Sequence, residues 1–369
     1  MEIKRRSVIS ALLGLGFFPN SSIALSSNRD QVKSRFASAV SNAKGEHFLA
    51  FYRRGNEKLT LHRLPGRGHQ PCVSLNSKYI VMLARRPGTW MVVFDKENET
   101  LVGHAECPRG RHFYGHGAFN VRGDLLFTTE NEFDEGRGVI GVYELGESVK
   151  RKFEFSSHGV GPHDIKTLSN GDIVVANGGI QTHPDYGRRK LNIDSMESNV
   201  VIFCGQRFGL KSMARLDEPK LSLRHLAINA SDQIVVAAQH QSGDSQVAPL
   251  VYYLDAQAQL RTFTRQPTES IASMRSYIAS VGFNVSGEYL VSTAPRGDCI
   301  SLWGFKHKQW LADVPLFDVA GVSASRNRSD FILSSGGGEI YAFKPEQQAV
   351  SVIYSSEYFY WDNHLTYTS

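Results

Sequence analysis

Apolar residues in this chain come in short, strand-length runs broken by polar turns, and the runs recur as pairs whose second member is the more hydrophobic. His69–Asn76 precedes Tyr79–Arg85, His116–Asn120 precedes Leu125–Thr129, and His163–Thr167 precedes Ile173–Asn177. His225–Asn229 with Ile234–Ala238, Ser280–Asn284 with Tyr289–Thr293, and Gly321–Ser325 with Phe331–Ser335 continue the series. The turns between partners include Val121-Arg122-Gly123-Asp124, Ser169-Asn170-Gly171-Asp172, Ala230-Ser231-Asp232 and Val285-Ser286-Gly287-Glu288. They are rich in residues that tolerate φ > 0, so each pair is expected to be a hairpin. A third run follows in most copies (Trp90–Asp95, Val139–Glu144, Val200–Cys204, Leu250–Asp255, Cys299–Phe305, Glu339–Phe343). A fourth is visible at Val102–Cys107, Lys152–Phe155, Ser212–Leu216, Leu260–Thr264 and Val350–Tyr354.

The copies start at His69, His116, His163, His225, Ser280, Gly321 and His364, 41 to 62 residues apart. Four-stranded propeller blades repeat at roughly 40–50 residues, with insertions lengthening single copies. Trp361–Thr368 reads as a first strand with nothing after it. His47–Arg53 and Lys58–Leu64 read as second and third strands with no first strand before them. Joining the ends completes a seventh blade and removes an open sheet edge. The expectation is an all-β, seven-bladed β-propeller over residues 45–369, its last blade closed by joining the C-terminal strand to the N-terminal strands.

Residues 1–26 read as an export signal, and 27–44 as a linker to the propeller. Lys4-Arg5-Arg6-Ser7-Val8-Ile9 resembles a twin-arginine signal, followed by the apolar stretch Val8–Phe18 and small residues near Ala24. An ordinary Sec signal with a positive first segment is the alternative. The stretch is too short for a comfortable membrane span, and no later one is long enough. A soluble periplasmic protein is therefore expected, with the signal cleaved. Of the formal charge of +5, Lys4, Arg5 and Arg6 against Glu2 account for two, which leaves +3. With no basic, aromatic-interleaved stripe elsewhere, that charge argues against a nucleic-acid partner. The four cysteines lie far apart with no CxxC and read as small buried hydrophobes.

Candidate chemistry follows from the repeat. First strands line a propeller's central channel, so the five anchor histidines, His69, His116, His163, His225 and His364, converge on one volume. Neutral imidazole is the commonest protein ligand for transition metals, which makes iron or copper the leading expectation. The connections between second and third strands lie on the same face. They add Arg85, Glu130, Asn131, Asp134, Arg137, Asn177 and Arg296 as candidate ligand-binding residues, and the long insertion 178–198 adds His183 as part of a lid. Asp164 is a further candidate for orienting the rings. A bland reading competes: in WD-type propellers a Gly-His pair near the inner strand only ties a blade together. Here the partner Trp-Asp pair is absent, and two of the seven copies lack the histidine. No nucleophile elbow, HExxH, phosphate loop or haem CxxCH is present. The first reading is a non-enzymatic protein whose histidine-rich face binds a metal ion or metal-bearing ligand, or docks a partner; a pure interaction scaffold without metal is a third. The alternative is a metal-dependent propeller enzyme, either an oxidoreductase or a lactonase-like hydrolase with calcium held by Glu130, Asn131, Asn177 and Asn229.

Several blocks together carry a family resemblance. They are Gly110-Arg111-His112-Phe113-Tyr114-Gly115-His116-Gly117, Ser157-His158-Gly159-Val160-Gly161-Pro162-His163, Arg224-His225-Leu226-Ala227 and Trp361-Asp362-Asn363-His364-Leu365. The chain resembles a family of exported bacterial propeller proteins known as a domain of unknown function, over nearly all of its length. The resemblance implies a periplasmic role near iron uptake, with imelysin-type or di-haem periplasmic proteins as partners. It supplies no reaction and no catalytic residue.

Overall fold

The computed structural model describes residues 34–55, 58–187, 189–242 and 247–368. The expected export signal, 1–26, and residues 27–33 of the expected linker lie outside them. Seven four-stranded antiparallel sheets make the seven blades of a propeller. Blade 1 runs Gly68–Val73, Tyr79–Ala84, Trp90–Asp95, Leu101–Glu106 from the axis outward, and blade 2 runs Arg111–Phe119, Leu125–Glu132, Arg137–Leu145, Val149–Ser156. Blades 3 to 6 begin on the inner strands Pro162–Thr167, Leu221–Ile228, Ser280–Phe283 and Val319–Ala324. No described helix is long and apolar enough to cross a membrane.

Blade 7 joins the two ends of the chain. Its inner strand is Phe359–Tyr367, hydrogen-bonded to Arg35–Asn42, then His47–Arg53, then Lys58–Arg63. The closure is as expected, but the roles shift by one place. Arg35–Asn42, expected as part of a linker, is the second strand, so His47–Arg53 is the third and Lys58–Arg63 the fourth. The propeller starts at Arg35 rather than at residue 45. The reason is that this strand is buried on both faces, so its side chains must be small or apolar on both. Phe36 and Val40 pack against Ile332 and Ile340 of blade 6, while Ala37 and Ala39 pack with Ile80 and Met82 of blade 1. Phe36-Ala37-Ser38-Ala39-Val40 does not keep a polar-apolar alternation, which hides the strand from a reading by period. Gln309–Pro315, the outer strand of blade 5, also had no counterpart in the pattern. It is half-exposed along its length, with little hydrophobic contrast between its faces.

The core lies between adjacent blades in separate clusters. All four cysteines are free, with Cys72, Cys107 and Cys299 buried among apolar neighbours. At the closing blade Trp361 is 4% exposed, and its indole Nε1–H donates to the Gly338 carbonyl at 3.1 Å. Replacing a buried Trp by Ala costs about 3–5 kcal/mol. Trp361→Ala is expected to lower unfolding free energy by about that much in urea titration. A loss below about 1 kcal/mol would mean that the seam contributes little.

Candidate metal centre

The inner strands do not pair regularly where the histidines sit. Register slips between Gly68 and Pro71, Phe113 and Gly117, Pro162 and Asp164, and Leu223 and Leu226. In blade 7 it slips between Ser38 and Val40, so that Trp361 to Leu365 faces a shorter partner segment. Each slip brackets one anchor histidine. Blade 5, which carries Ser280 instead, pairs without interruption from Ser280 to Phe283. Blade 6, with Gly321, slips between Val319 and Gly321. A bulge sets extra residues against one partner and re-aims a side chain. Here it turns residues that would alternate between blade faces into the channel.

The five imidazoles form a closed ring of contacts. Successive ring centroids lie 4.7 Å (His69–His116), 4.9 Å (His116–His163), 4.7 Å (His163–His225), 4.9 Å (His225–His364) and 4.6 Å (His364–His69) apart. His116 also approaches His364 at 4.8 Å and His225 at 5.5 Å, so it sits toward the middle of the group and is fully buried. The two histidine-free blades leave no gap, because His225 and His364 meet across them. Gly115, at φ +95°, leaves room for this packing: a Cβ there would stand 2.6 Å from the His69 Cβ.

Hydrogen bonds set the tautomers. His69 Nδ1 faces Asp362 Oδ1 at 3.2 Å, and Asp362 is gripped by Arg67 Nε at 2.6 Å and Arg85 Nη1 at 3.3 Å. His116 Nδ1 faces Gln70 Oε1 at 2.7 Å and Asp164 Oδ1 at 3.3 Å. Both acceptors require the proton on Nδ1, which leaves the Nε2 lone pair for a ligand. Asp164 is itself fixed by the Leu226 N–H at 2.8 Å and Lys166 Nζ at 3.0 Å. His163 has the opposite tautomer: Arg224 Nη1 donates to its Nδ1 at 3.3 Å, so its Nε2 carries the proton. The Nε2 atoms of His116, His163 and His364 and Nδ1 of His225 are buried without a hydrogen-bond partner.

Burial pushes all five imidazoles below their ordinary value. His69 is held at about 3 despite its bond to Asp362, and His163, His225 and His364 lie well below the usual range. His116 is lowered by burial against the pull of Asp164. Burial works to raise Asp164 and Asp362, yet both stay below the usual carboxylate range. Lys166 and His116 do this for Asp164, and His69 and Arg85 for Asp362. At neutral pH the hub is therefore a set of uncharged imidazoles backed by two carboxylates. Two triads, His69/His116/His163 and His116/His225/His364, bring their donor atoms within 4.8 Å of one another and could hold a metal ion. Zinc–nitrogen bonds of about 2.0–2.1 Å place tetrahedral donors roughly 3.3 Å apart, so binding would draw the rings inward by about an ångström. The donor set is all nitrogen. The thiol of nearby Cys72 is pushed up to about 12 by burial and stays protonated.

A cavity of about 560 Å³ opens onto this hub. His69, His163 and His225 line it, with Arg85, His183 and Arg296 from the expected ligand-binding group. The insertion reaches the cavity through Thr182, His183, Pro184, Gly187 and Lys190, as expected of a lid. Asp134 is exposed and pairs with His183 Nε2 at 3.1 Å, and Arg137 pairs with Glu132 through Nε at 2.6 Å. Asn131 and Asn177 are buried behind the cavity. Asn131 donates to His112 Nε2 and to the Thr182 carbonyl, and Asn177 to the Ser157 carbonyl and Asn199 Oδ1. Glu130 does not reach the cavity. It is fully buried inside blade 2, bound by Arg151 at 2.7 and 2.9 Å, Thr128 at 2.8 Å and the Tyr143 hydroxyl at 3.1 Å. Asn229 lies in a hairpin turn with Gln233, so the oxygen donors considered for calcium do not converge. Asp362, Gln70 and Arg224 were missed as site residues. Two of them stand beside an anchor histidine in sequence, but only the folded ring shows which ring each one orients.

A family model described as "Protein of unknown function (DUF1513)" matches residues 62–368 and takes in all five hub histidines. Comparison with curated proteins finds no match.

Two outcomes are expected. An imidazole with a folded value below 6.5 binds its proton more readily in the unfolded chain, so it costs stability as pH falls below about 6.5. The buried carboxylates act in the same direction below about pH 4. Unfolding free energies of metal-free protein from urea titration are expected to hold above pH 7 and fall between 6.5 and 4, by about 1.4 kcal/mol per pH unit for each ring that stays neutral. A free energy unchanged across that window would contradict an uncharged hub. Glu130→Gln, which leaves Arg151 facing a neutral partner, is expected to cost about 3–5 kcal/mol in the same assay while leaving metal uptake as in the wild type.

Proposed function

We propose that this chain, which belongs to the DUF1513 family, is a binding protein that holds one transition-metal ion, copper or iron, at the hub of its propeller. His116 and His364 bind through Nε2 and His225 through Nδ1, with Nε2 of His69 as the fourth donor. His163 stands beside them as a hydrogen-bond donor to whatever enters from the cavity. The observation that carries this reading is the cluster of buried ring nitrogens without partners, beside two rings whose tautomers are set by carboxylates. Leaving a buried donor or acceptor unsatisfied costs about 1–3 kcal/mol, so four in one spot point to a guest. A blade-bonding histidine would have its ring satisfied within its own blade.

Imidazole donors suit copper, iron, nickel or zinc and not calcium, which takes oxygen ligands. The enzymatic alternative draws support from the cavity, which gives a bound ion an open approach. Among the described residues no carboxylate lines that cavity, and burial holds its hub histidines, His69, His163 and His225, neutral. Both points favour binding over hydrolysis. The twin-arginine reading of residues 1–26 supports export to the periplasm of a protein already folded. Its role would be in iron uptake, with imelysin-type or di-haem proteins as partners.

The test is elemental analysis of protein exported by its own signal, followed by titration of the stripped protein with Cu²⁺, Fe²⁺, Zn²⁺ and Ca²⁺. About one equivalent of a transition ion is expected, with no calcium. His116→Ala or His364→Ala is expected to weaken uptake at least 100-fold, and His163→Ala by less than 10-fold. Absence of saturable transition-metal binding in the stripped wild type would falsify the proposal.

A further inference from the structure

The cavity above the hub is strongly cationic. Arg85, Arg86, Lys190, Arg224 and Arg296 line it, and among the described residues no aspartate or glutamate does. Arg85 is neutralised from behind by Asp362. Arg296 lies over the Tyr277 ring, its guanidinium carbon 4.4 Å from the centroid. Lys190 Nζ donates to Gln241 Oε1 at 2.6 Å. Neither Arg296 nor Lys190 has a carboxylate partner among the described residues.

Arg224 is the most telling of these. It follows Leu223 at the register slip of blade 4, directly before His225. Its side chain is half-buried and lines the cavity beside His163 and His225. Among the described residues its one hydrogen bond goes to His163, and its Nε is buried with no partner. Arg86 lines the same cavity. A buried charge without a counter-ion is costly, and placing it near a second guanidinium adds to that cost. A fold keeps such a group where a ligand brings the missing charge. Planar guanidinium is also the side chain best shaped to grip carboxylate or phosphate oxygens in pairs.

We propose that this cavity binds a small organic or inorganic polyanion, with carboxylate or phosphate groups gripped by Arg224 at the floor and by Arg86, Lys190 and Arg296 toward the mouth. Its volume falls in the range of roughly 300–1,000 Å³ typical of small-molecule sites, which is more than a single simple ion needs. Tyr114 and Tyr277 supply aromatic wall beside the cations. The cavity shares His69 and His225 with the hub, but the anion would be held by the cations and not by the ring nitrogens.

The experiment is calorimetric titration of metal-stripped full-length protein with citrate and, separately, with inorganic pyrophosphate. Saturable binding of at least one is expected, with affinity falling tenfold or more in Arg224→Gln and in Arg296→Gln. Citrate alone would mark the ligand as a carboxylate, and pyrophosphate alone as a phosphate. Arg224→Gln is also expected to melt no lower than the wild type, because it removes an uncompensated charge, whereas a purely structural arginine would be missed. Arg296→Gln, on the exposed rim, keeps the test open if the deeper variant folds poorly. Binding of neither anion, or unchanged affinity in both variants, would overturn the proposal. Since no metal is present, that failure would leave the hub reading untouched.

Discussion

Closure of the ring is the constraint on which everything else in this molecule depends. Phe359–Tyr367 pairs with Arg35–Asn42, Phe36 opposite Tyr367 and Ser41 opposite Tyr360, so the two ends of the chain share one sheet. Without that pairing blade 7 would have no inner strand, and His364 would not stand 4.6 Å from His69. The same strand brings Asp362 to His69, Arg67 and Arg85 of blade 1. One hydrophobic seam therefore fixes both the fold and the orientation of a hub ring. Ser38, buried in the second strand, ties the two further by donating from Oγ to the His364 carbonyl at 2.6 Å.

The hub is costly to build. Four imidazoles and two carboxylates are buried, and His163 and Arg224 half-buried, in a protein whose other buried surfaces are mostly apolar. Interrupted strand pairing, at five separate bulges, is a second departure from the most stable local arrangement. Stability alone would favour apolar side chains at these positions, since well-packed hydrophobic residues often match or exceed buried polar groups. The contrast with Glu130 is instructive. That carboxylate is just as buried, but arginine, tyrosine and threonine take up its hydrogen-bonding capacity. It is a closed structural network, whereas four ring nitrogens of the hub have no hydrogen-bond partner among the described residues.

Arg224 links the hub to the cavity. Its bond to His163 sets that ring's proton toward the centre, and its remaining donors face the cationic space above. A metal ion below and an anion above would have complementary charges across a single histidine. The arrangement suits a protein that recognises an ion together with the group that accompanies it.

The architecture was legible in the chain because a propeller repeats a short pattern. Paired runs, hairpin turns and a spare first strand at the C-terminus sufficed for seven blades and for their closure. The five histidines were legible for the same reason: a repeat puts equivalent positions in equivalent places. Arg35–Asn42 was not, since a strand covered on both faces loses the alternation by which strands are recognised. Among the candidate residues, Arg85, His183 and Arg296 reach the cavity, while Glu130, as polar and as close in sequence to the right loop, turns the other way into its blade. Side-chain direction there depends on one residue of register, which sequence does not carry. Tertiary structure alone decided which carboxylate faces which ring, and so which nitrogens keep a free lone pair. It also left Arg224 without a counter-charge. These are relations between strands far apart in the chain, set by distances of about 3 Å that exist only once the ring has closed.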